Sequence, residues 1–212
     1  MHPLLPFLCF GLTATTALAK APTVLVLGDS LSAGYGLKRS EAYPALLTKR
    51  AESTGSNLVV MNAGVSGDTT SGGLRRLPQL LHHHVDVLLL ELGINDAFRG
   101  VPVAQIEANL QAIIDLARKR YPQVQIVIAG MQLPIAGGED YLAQFGALFP
   151  RLAARNRAAL IPFLLQGVAG DPALNQNDMI HPNASGQKIL ADNVWAVLER
   201  VLRNRQLAEK RS

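Results

Sequence analysis

Hydrophobic periodicity switches repeatedly along this chain, between short continuous apolar runs and longer stretches with helical spacing. "TVLVL" before Gly28, "NLVVMNAG", "VDVLLLELG", "VQIVIAG" and "LIPF" are the short runs. Apolar throughout, mostly β-branched or leucine, and closed by turn residues, they predict five buried strands. Between and after them, "EAYPALLTKRAEST", "GGLRRLPQLLHHH", "VAQIEANLQAIIDLARKRY", "YLAQFGALFPRLAARN" and "ASGQKILADNVWAVLERVLRNR" carry apolar residues three and four apart. These predict amphipathic helices, one of them continuing through Pro150. Strands that are apolar on both faces and separated by helices predict a three-layer α/β/α architecture with a parallel sheet in the middle. No repeat, low-complexity run or linker interrupts the pattern, so residues 20–212 are expected to form one domain.

The first nineteen residues stand outside this pattern. "LLPFLCFGLTATTALA" is too short to span a bilayer comfortably and ends in Ala17-Leu18-Ala19, the small-x-small pattern that a signal peptidase reads. Residues 1–19 are therefore expected to be a signal peptide cleaved after Ala19, giving a periplasmic or secreted protein with no stable membrane insertion. The positive charge ahead of the apolar run is weak, which leaves a membrane anchor as the alternative. Cys9, the single cysteine, lies in this segment, so the mature chain has no disulfide and must rest on its core. A formal charge of +4 and a pI near 9.5 raise nucleic acid as a partner. The basic residues, however, are spread over helical stretches and the tail "RVLRNRQLAEKR" without interleaved aromatics, which argues against it.

In an open parallel sheet the ligand site lies beyond the carboxyl ends of the strands. Those ends carry "GDSLSAG", "NAGVSGDTT", "ELGINDAFRG", "GMQLP" and "LLQGVAGDPALNQNDMIHPN", and with them Ser30, Asp68, Asn95, Asp96, Asp178 and His181. A phosphate site finds no support: "GDSLSAGYG" lacks the G-x-G-x-x-G spacing and no G-K-[ST] occurs. A flavin would want stacking aromatics, and only Tyr35 and Phe98 stand at these ends. Nucleophilic catalysis fits better, because a serine hydroxyl needs a base within reach and a third group to orient that base. His181 alone among the histidines follows a strand end, held extended by Pro182, with Asp178 three residues earlier. Gly67 N–H, the Asn95 amide and Ser30 N–H supply candidate donors to an oxyanion.

Each residue also has a plainer reading. Ser30 is a favoured residue for capping a helix that begins at Leu31, and Asp29 and Asp96 are suited to tying loops to backbone amides. Asp178 and His181 provide only two ligands for a metal. His82–His84 cannot converge on one ion from a helix, so a solvated helix end is expected there.

The blocks "GDSLSAG", "GVSGDTT", "GIND" and "DMIHP", in this order over residues 23–205, resemble the SGNH (GDSL) hydrolases, named for Ser, Gly, Asn and His in four blocks. "LGDSLSAGYG", "AGVSGDTTSGGLRRL" and "ELGINDAFRG" look most like the family's exported bacterial multifunctional esterases, the thioesterase I/protease I/lysophospholipase L1 and arylesterase group. The resemblance implies a flavodoxin-like sheet of five parallel strands and no cofactor or metal. It implies Ser30 as nucleophile, His181 as base, Asp178 as its orienting carboxylate, and Ser30, Gly67 and Asn95 as the oxyanion hole. Ile94 stands where many members carry a second glycine and is expected to shape an acyl groove. "LPIAGGEDY" is loosely similar to a loop that covers the substrate, which makes Leu133, Pro134 and Tyr141 candidate substrate contacts. Leu133, Ile135, Phe145 and Leu148 are expected to give that region an apolar lining. The implied activity is hydrolysis of small acyl esters, thioesters or lysophospholipids by a monomeric enzyme. A carbohydrate O-acetylesterase of the same fold and a non-catalytic flavodoxin-like binding module are the alternatives.

Overall fold

Five strands, β1 (Thr23–Gly28), β2 (Val59–Asn62), β3 (Val87–Glu91), β4 (Gln125–Ala129) and β5 (Ala159–Ile161), form one sheet in the order β2-β1-β3-β4-β5. Every pairing is parallel. The computed structural model describes residues 21–55, 57–133 and 138–209, so the expected leader at 1–19 and the candidate contact Pro134 lie outside the described residues. The central strands β1 and β3 are buried along their whole length, as their unbroken apolar runs require. The edge strand β2 is only partly covered.

The helices are α1 (Ser30–Ala33), α2 (Tyr43–Ser53), α3 (Thr70–Leu80), α4 (Ile94–Phe98), α5 (Val103–Arg120), α6 (Glu139–Asn156) and α7 (Ala184–Glu209). α2 and α7 pack on each other, while α3 packs on α5 and α5 on α6. This division follows from handedness: right-handed crossovers that run outward to β2 and then back past β1 place their helices on opposite faces. The expected three-layer architecture is thus the observed one, with five predicted strands in place. Hydrophobic periodicity shows neither α1 nor α4, each about a turn long and too short for a period, although the capping reading of Ser30 placed a helix start at Leu31. Pro150 sits inside α6 on its solvent side, where water can take the carbonyl that the proline leaves free.

One expectation about apolar lining is corrected here. Phe145 and Leu148 are wholly buried, and Phe145 packs edge-to-face on Phe149 at 5.2 Å between ring centroids. They belong to the stripe by which α6 covers the sheet, because residues three and four apart share the inward face of a helix. Ile135 lies outside the described residues.

The β1–β3 register places Gly28 opposite Glu91. A methyl group at Gly28 would overlap Ser32 Oγ and Glu91 Oε2, both in a packed interior. Gly28→Ala should lower stability by about 1–3 kcal/mol, the usual range for overpacking, and a thermal melt of the purified variant measures it.

Candidate active site

β1 runs directly into α1, and the turn between them is fixed by Asp29. Its Oδ1 accepts the Leu31 N–H at 3.0 Å, so Asp29 caps the helix and Ser30 is the first helical residue. The plainer reading of Ser30 as the cap is therefore displaced. Ser30 N–H has no acceptor within the helix at that position. The loop after β2 lies alongside, held by Arg76 of α3. Arg76 Nε donates to Asp68 Oδ2 at 2.7 Å, Nη1 to Ala63 O at 2.6 Å and Nη2 to Gly28 O at 3.1 Å. Gly67 is exposed on this loop with φ of +76°, a backbone conformation natural to glycine, and Arg99 donates to its carbonyl. Asp96 accepts from Thr70 N–H and Thr70 Oγ1, tying α4 to the start of α3. Asp29 and Asp96 thus hold loops, as their plainer readings proposed.

The segment before α7 forms a closed turn. Asn175 and Pro182 make an antiparallel bridge, Gln176 N–H donates to His181 O at 2.8 Å, and Met179 N–H to Gln176 O at 2.9 Å. Met179 takes φ of +60° to complete it. Inside the turn, Asp178 Oδ1 accepts the N–H groups of Ile180 and His181 at 2.9 and 3.0 Å. Its Oδ2 is 2.7 Å from His181 Nδ1, and His181 Nε2 is 3.0 Å from Ser30 Oγ. An ionised carboxylate only accepts, so Nδ1 carries the imidazole proton and Nε2 is left to accept from the serine hydroxyl. Tyr35 lies over the imidazole, with ring centroids 4.5 Å apart, and its carbonyl accepts from Gln176 Nε2.

Three carboxyls near the edge differ in environment. The two backbone N–H groups and the His181 ring hold Asp178 down at about 2, so it is ionised at any working pH. Burial pushes Asp29 up to about 6, and burial with the neighbouring Asp29 charge pushes Glu91 well above the carboxylate range. Glu91 has no place in the sequence reading. Its signal was visible as a lone acid closing the apolar run "VLLLE".

The structure brings Ser30, Ile94, Asn95, Leu133 and His181 into one cleft of about 470 Å³, with Phe98, Phe163, Leu165, Met179 and Ile180 adding apolar lining. Asn95 Nδ2 donates one hydrogen to Asp29 Oδ2 at 3.0 Å, and its second remains. Tyr141 does not line the cleft; its hydroxyl donates to Val101 O at 2.6 Å, fastening α6 beside α4. His82 and His83 are exposed after α3, and His84 contacts Asp86 Oδ1 at 2.8 Å. Among the described residues no group of three or more His, Cys, Asp or Glu could hold a metal ion.

A serine, an imidazole and a carboxylate hydrogen bonded in series at the edge of a three-layer α/β/α sheet define a serine hydrolase. The chain belongs to the GDSL-like lipase/acylhydrolase family, whose pattern matches residues 26–189. It is 41% identical over 203 residues to esterase TesA of Pseudomonas aeruginosa, covering 95% of this chain and 100% of that protein. It is also 41% identical over 189 residues to the thioesterase 1/protease 1/lysophospholipase L1 of Escherichia coli, covering 89% and 88%. Among solved structures, the psychrotrophic esterase EstA from Pseudoalteromonas, inhibited by monoethylphosphonate, superposes with a TM-score of 0.80 at 34% identity. That match covers 85% of this chain and 98% of EstA.

Asp29 and Glu91 titrate higher in the fold than in an unfolded chain, so the folded protein keeps protons that the unfolded one has released. The stability from this source is fully present below the ordinary carboxyl range and is lost as pH rises through about 6 and beyond. Glu91→Gln removes one titration. The Tm of the parent relative to Glu91→Gln should therefore fall steadily between about pH 4 and about pH 8, read from melts in matched buffers.

Proposed function

We propose that the protein is a serine esterase and thioesterase that cleaves small acyl esters through an acyl-enzyme on Ser30. The observation that carries this reading is the continuous chain of contacts from Ser30 Oγ through His181 to Asp178. Ser30 Oγ attacks the ester carbonyl while His181 Nε2 takes its proton. The resulting imidazolium lies against ionised Asp178. As the tetrahedral intermediate collapses, the carbon–oxygen or carbon–sulfur bond breaks and His181 returns the proton to the leaving group. Water then repeats the sequence in reverse and releases the acid. The oxyanion is met by Ser30 N–H, Gly67 N–H and the free hydrogen of Asn95 Nδ2.

The names of the relatives support esters, thioesters and lysophospholipids as substrate types. The lining of Ile94, Phe98, Leu133, Phe163 and Leu165 favours an acyl chain over an acetyl group, which such a cleft would leave largely unfilled. The residues of the site all lie on one chain, so the proposed reaction needs no second copy of it, and basic residues spread without interleaved aromatics argue against a nucleic-acid substrate. Export to the periplasm or beyond rests on the leader-like segment at 1–19. Among the described residues no helix is long and apolar enough to cross a membrane.

A fluorophosphonate probe should label Ser30 and no other serine in the native protein, with the site located by peptide mass spectrometry. Labelling elsewhere would remove Ser30 as nucleophile. Asn95→Ala should lower kcat by roughly 100- to 1,000-fold with KM much less changed, as for other side chains that grip an oxyanion. Steady-state kinetics on p-nitrophenyl butyrate read this loss, and an unchanged kcat would assign Asn95 to structure.

The pH profile tests the base. kcat/KM should rise with pH as imidazole is deprotonated, because only the neutral ring accepts the Ser30 proton. Asp178, held at about 2, stays ionised across that rise and adds no limb to it. His181→Ala should abolish the part of the rise that lies above about pH 6. Asp29, which burial raises to about 6, adds its own rise below that pH through its hold on Asn95, so the test is read above about pH 6, where a limb that survives in the folded variant would mean that another group is the base.

A further inference from the structure

Glu91 closes β3 as its only charged residue and is completely buried. Its Oε2 accepts Asp29 N–H at 3.1 Å and Ser32 Oγ–H at 2.5 Å, while Ser32 Oγ also meets the buried Tyr43 hydroxyl at 2.8 Å. Its Oε1 is different: among the described residues it is the one buried side-chain polar atom that receives no donor. A carboxylate oxygen in that position would be stripped of water with nothing in return, and it would sit beside a second carboxyl, Asp29. The Asp29 N–H bond to Glu91 Oε2 holds the two carboxyls side by side in a buried setting, which favours the charge on Asp29 and the proton on Glu91. A proton on Glu91 needs an acceptor, and the nearest carboxyl is that of Asp29, whose N–H already meets Glu91.

Asp29 faces the cleft side of this pair. With Oδ1 on Leu31 N–H and Oδ2 on Asn95 Nδ2, it fixes both the turn that carries Ser30 and the amide of Asn95. The amide torsion of asparagine is broad and nearly two-fold, so rotation by half a turn would present oxygen where nitrogen stood. An ionised Asp29 can only accept and so holds the nitrogen toward itself. A protonated Asp29 could instead donate to the amide oxygen, and the flipped form would turn that choice against an oxyanion.

We propose that Glu91 is a positioning residue for the oxyanion hole, a neutral buried acid that donates to Asp29 and thereby keeps Asn95 in its donating orientation. This rests on the reading of Asn95 as an oxyanion donor. Glu91 touches neither substrate nor the reacting atoms. Its effect is on the geometry in which the transition state is met, as outer groups orient the ligands of a metal.

Four variants test it by steady-state kinetics on p-nitrophenyl butyrate: Glu91→Gln, Glu91→Met, Asn95→Ala and the Glu91→Met/Asn95→Ala pair. A glutamine keeps an acceptor for Asp29 N–H and Ser32 and a donor for Asp29, so Glu91→Gln should stay within about threefold of the parent kcat. Glu91→Met should lose about 10- to 100-fold in kcat with KM nearly unchanged. Added to Asn95→Ala, the same change should cost less than about threefold, because its route of action is already gone. A fast Glu91→Met beside a slow Asn95→Ala overturns the role of Glu91 alone. So does a Glu91→Gln as slow as Glu91→Met, or a pair whose losses multiply. An unchanged kcat in Asn95→Ala instead overturns the oxyanion reading, and this inference with it. Should Glu91→Met fail to fold, infrared spectroscopy of the parent decides. A carbonyl stretch from a buried protonated carboxyl should be present at neutral pH and vanish in Glu91→Gln, and its absence from the parent overturns the proposal.

Discussion

The site depends on the adjacency of β1 and β3. Their parallel register sets Gly28 against Glu91, so both chains leave the sheet at the same level and edge. Ser30 follows within two residues and Asn95 within four, close enough that Asp29 bridges them with one side chain. This is also where the strand order reverses direction, since β2 lies to one side of β1 and β3, β4 and β5 to the other. Crossovers leave in opposite directions there, and the gap between them is the crevice in which open α/β sheets hold their ligands.

The proposed base, His181, reaches this edge by a different physical solution. His181 is 151 residues from Ser30 and belongs to no strand, so the sheet does not place it. Its turn is instead closed on itself, by the Asn175–Pro182 bridge and the bond from Gln176 N–H to His181 O. The turn is then fastened to the nucleophile's side, where Gln176 Nε2 donates to Tyr35 O and the Tyr35 ring covers the imidazole. α7 completes the link, with Gln187 donating to Leu31 O in α1 and accepting from Tyr43 N–H in α2. Placement to a fraction of an ångström is what intramolecular proton transfer demands, and here it comes from hydrogen bonds between loops.

The sequence made legible what periodicity and strand ends report. Unbroken runs such as "VLVL" and "VLLL" marked buried parallel strands, and the polar residues beyond them marked the working edge. Ser30, Asn95, Asp178 and His181 could be grouped before any geometry because each follows a strand end or the turn before the last helix. What stayed illegible depends on contacts across the fold. No local pattern says that Phe145 and Leu148 face the sheet while Phe163 and Leu165 line the cleft. Nor does any show that Tyr141 spends its hydroxyl on Val101, or that Asp29 rather than Ser30 caps α1. Glu91 was hidden for a related reason: a single acid after four apolar residues looks like the end of a strand, and its burial becomes apparent only once α1 and α2 cover it.

Asp178, Asp29 and Glu91 show how residues of one chemical kind are separated by environment. Asp178 is partly exposed and receives three donors, so it is an anion whenever the enzyme works and can stabilise an imidazolium. On the opposite side of the reacting carbonyl, in the proposed mechanism, the requirement is reversed, because a negative charge develops there and any anion behind the donor amide opposes it. In the proposed mechanism Asp29 is ionised to fix Asn95, and a second charge on Glu91, lying behind it, would add to the opposing field in a region with little water to screen it. Burial of the pair prevents this. It holds the two carboxyls to a single negative charge, placed where it orients an amide and flanked by a neutral acid.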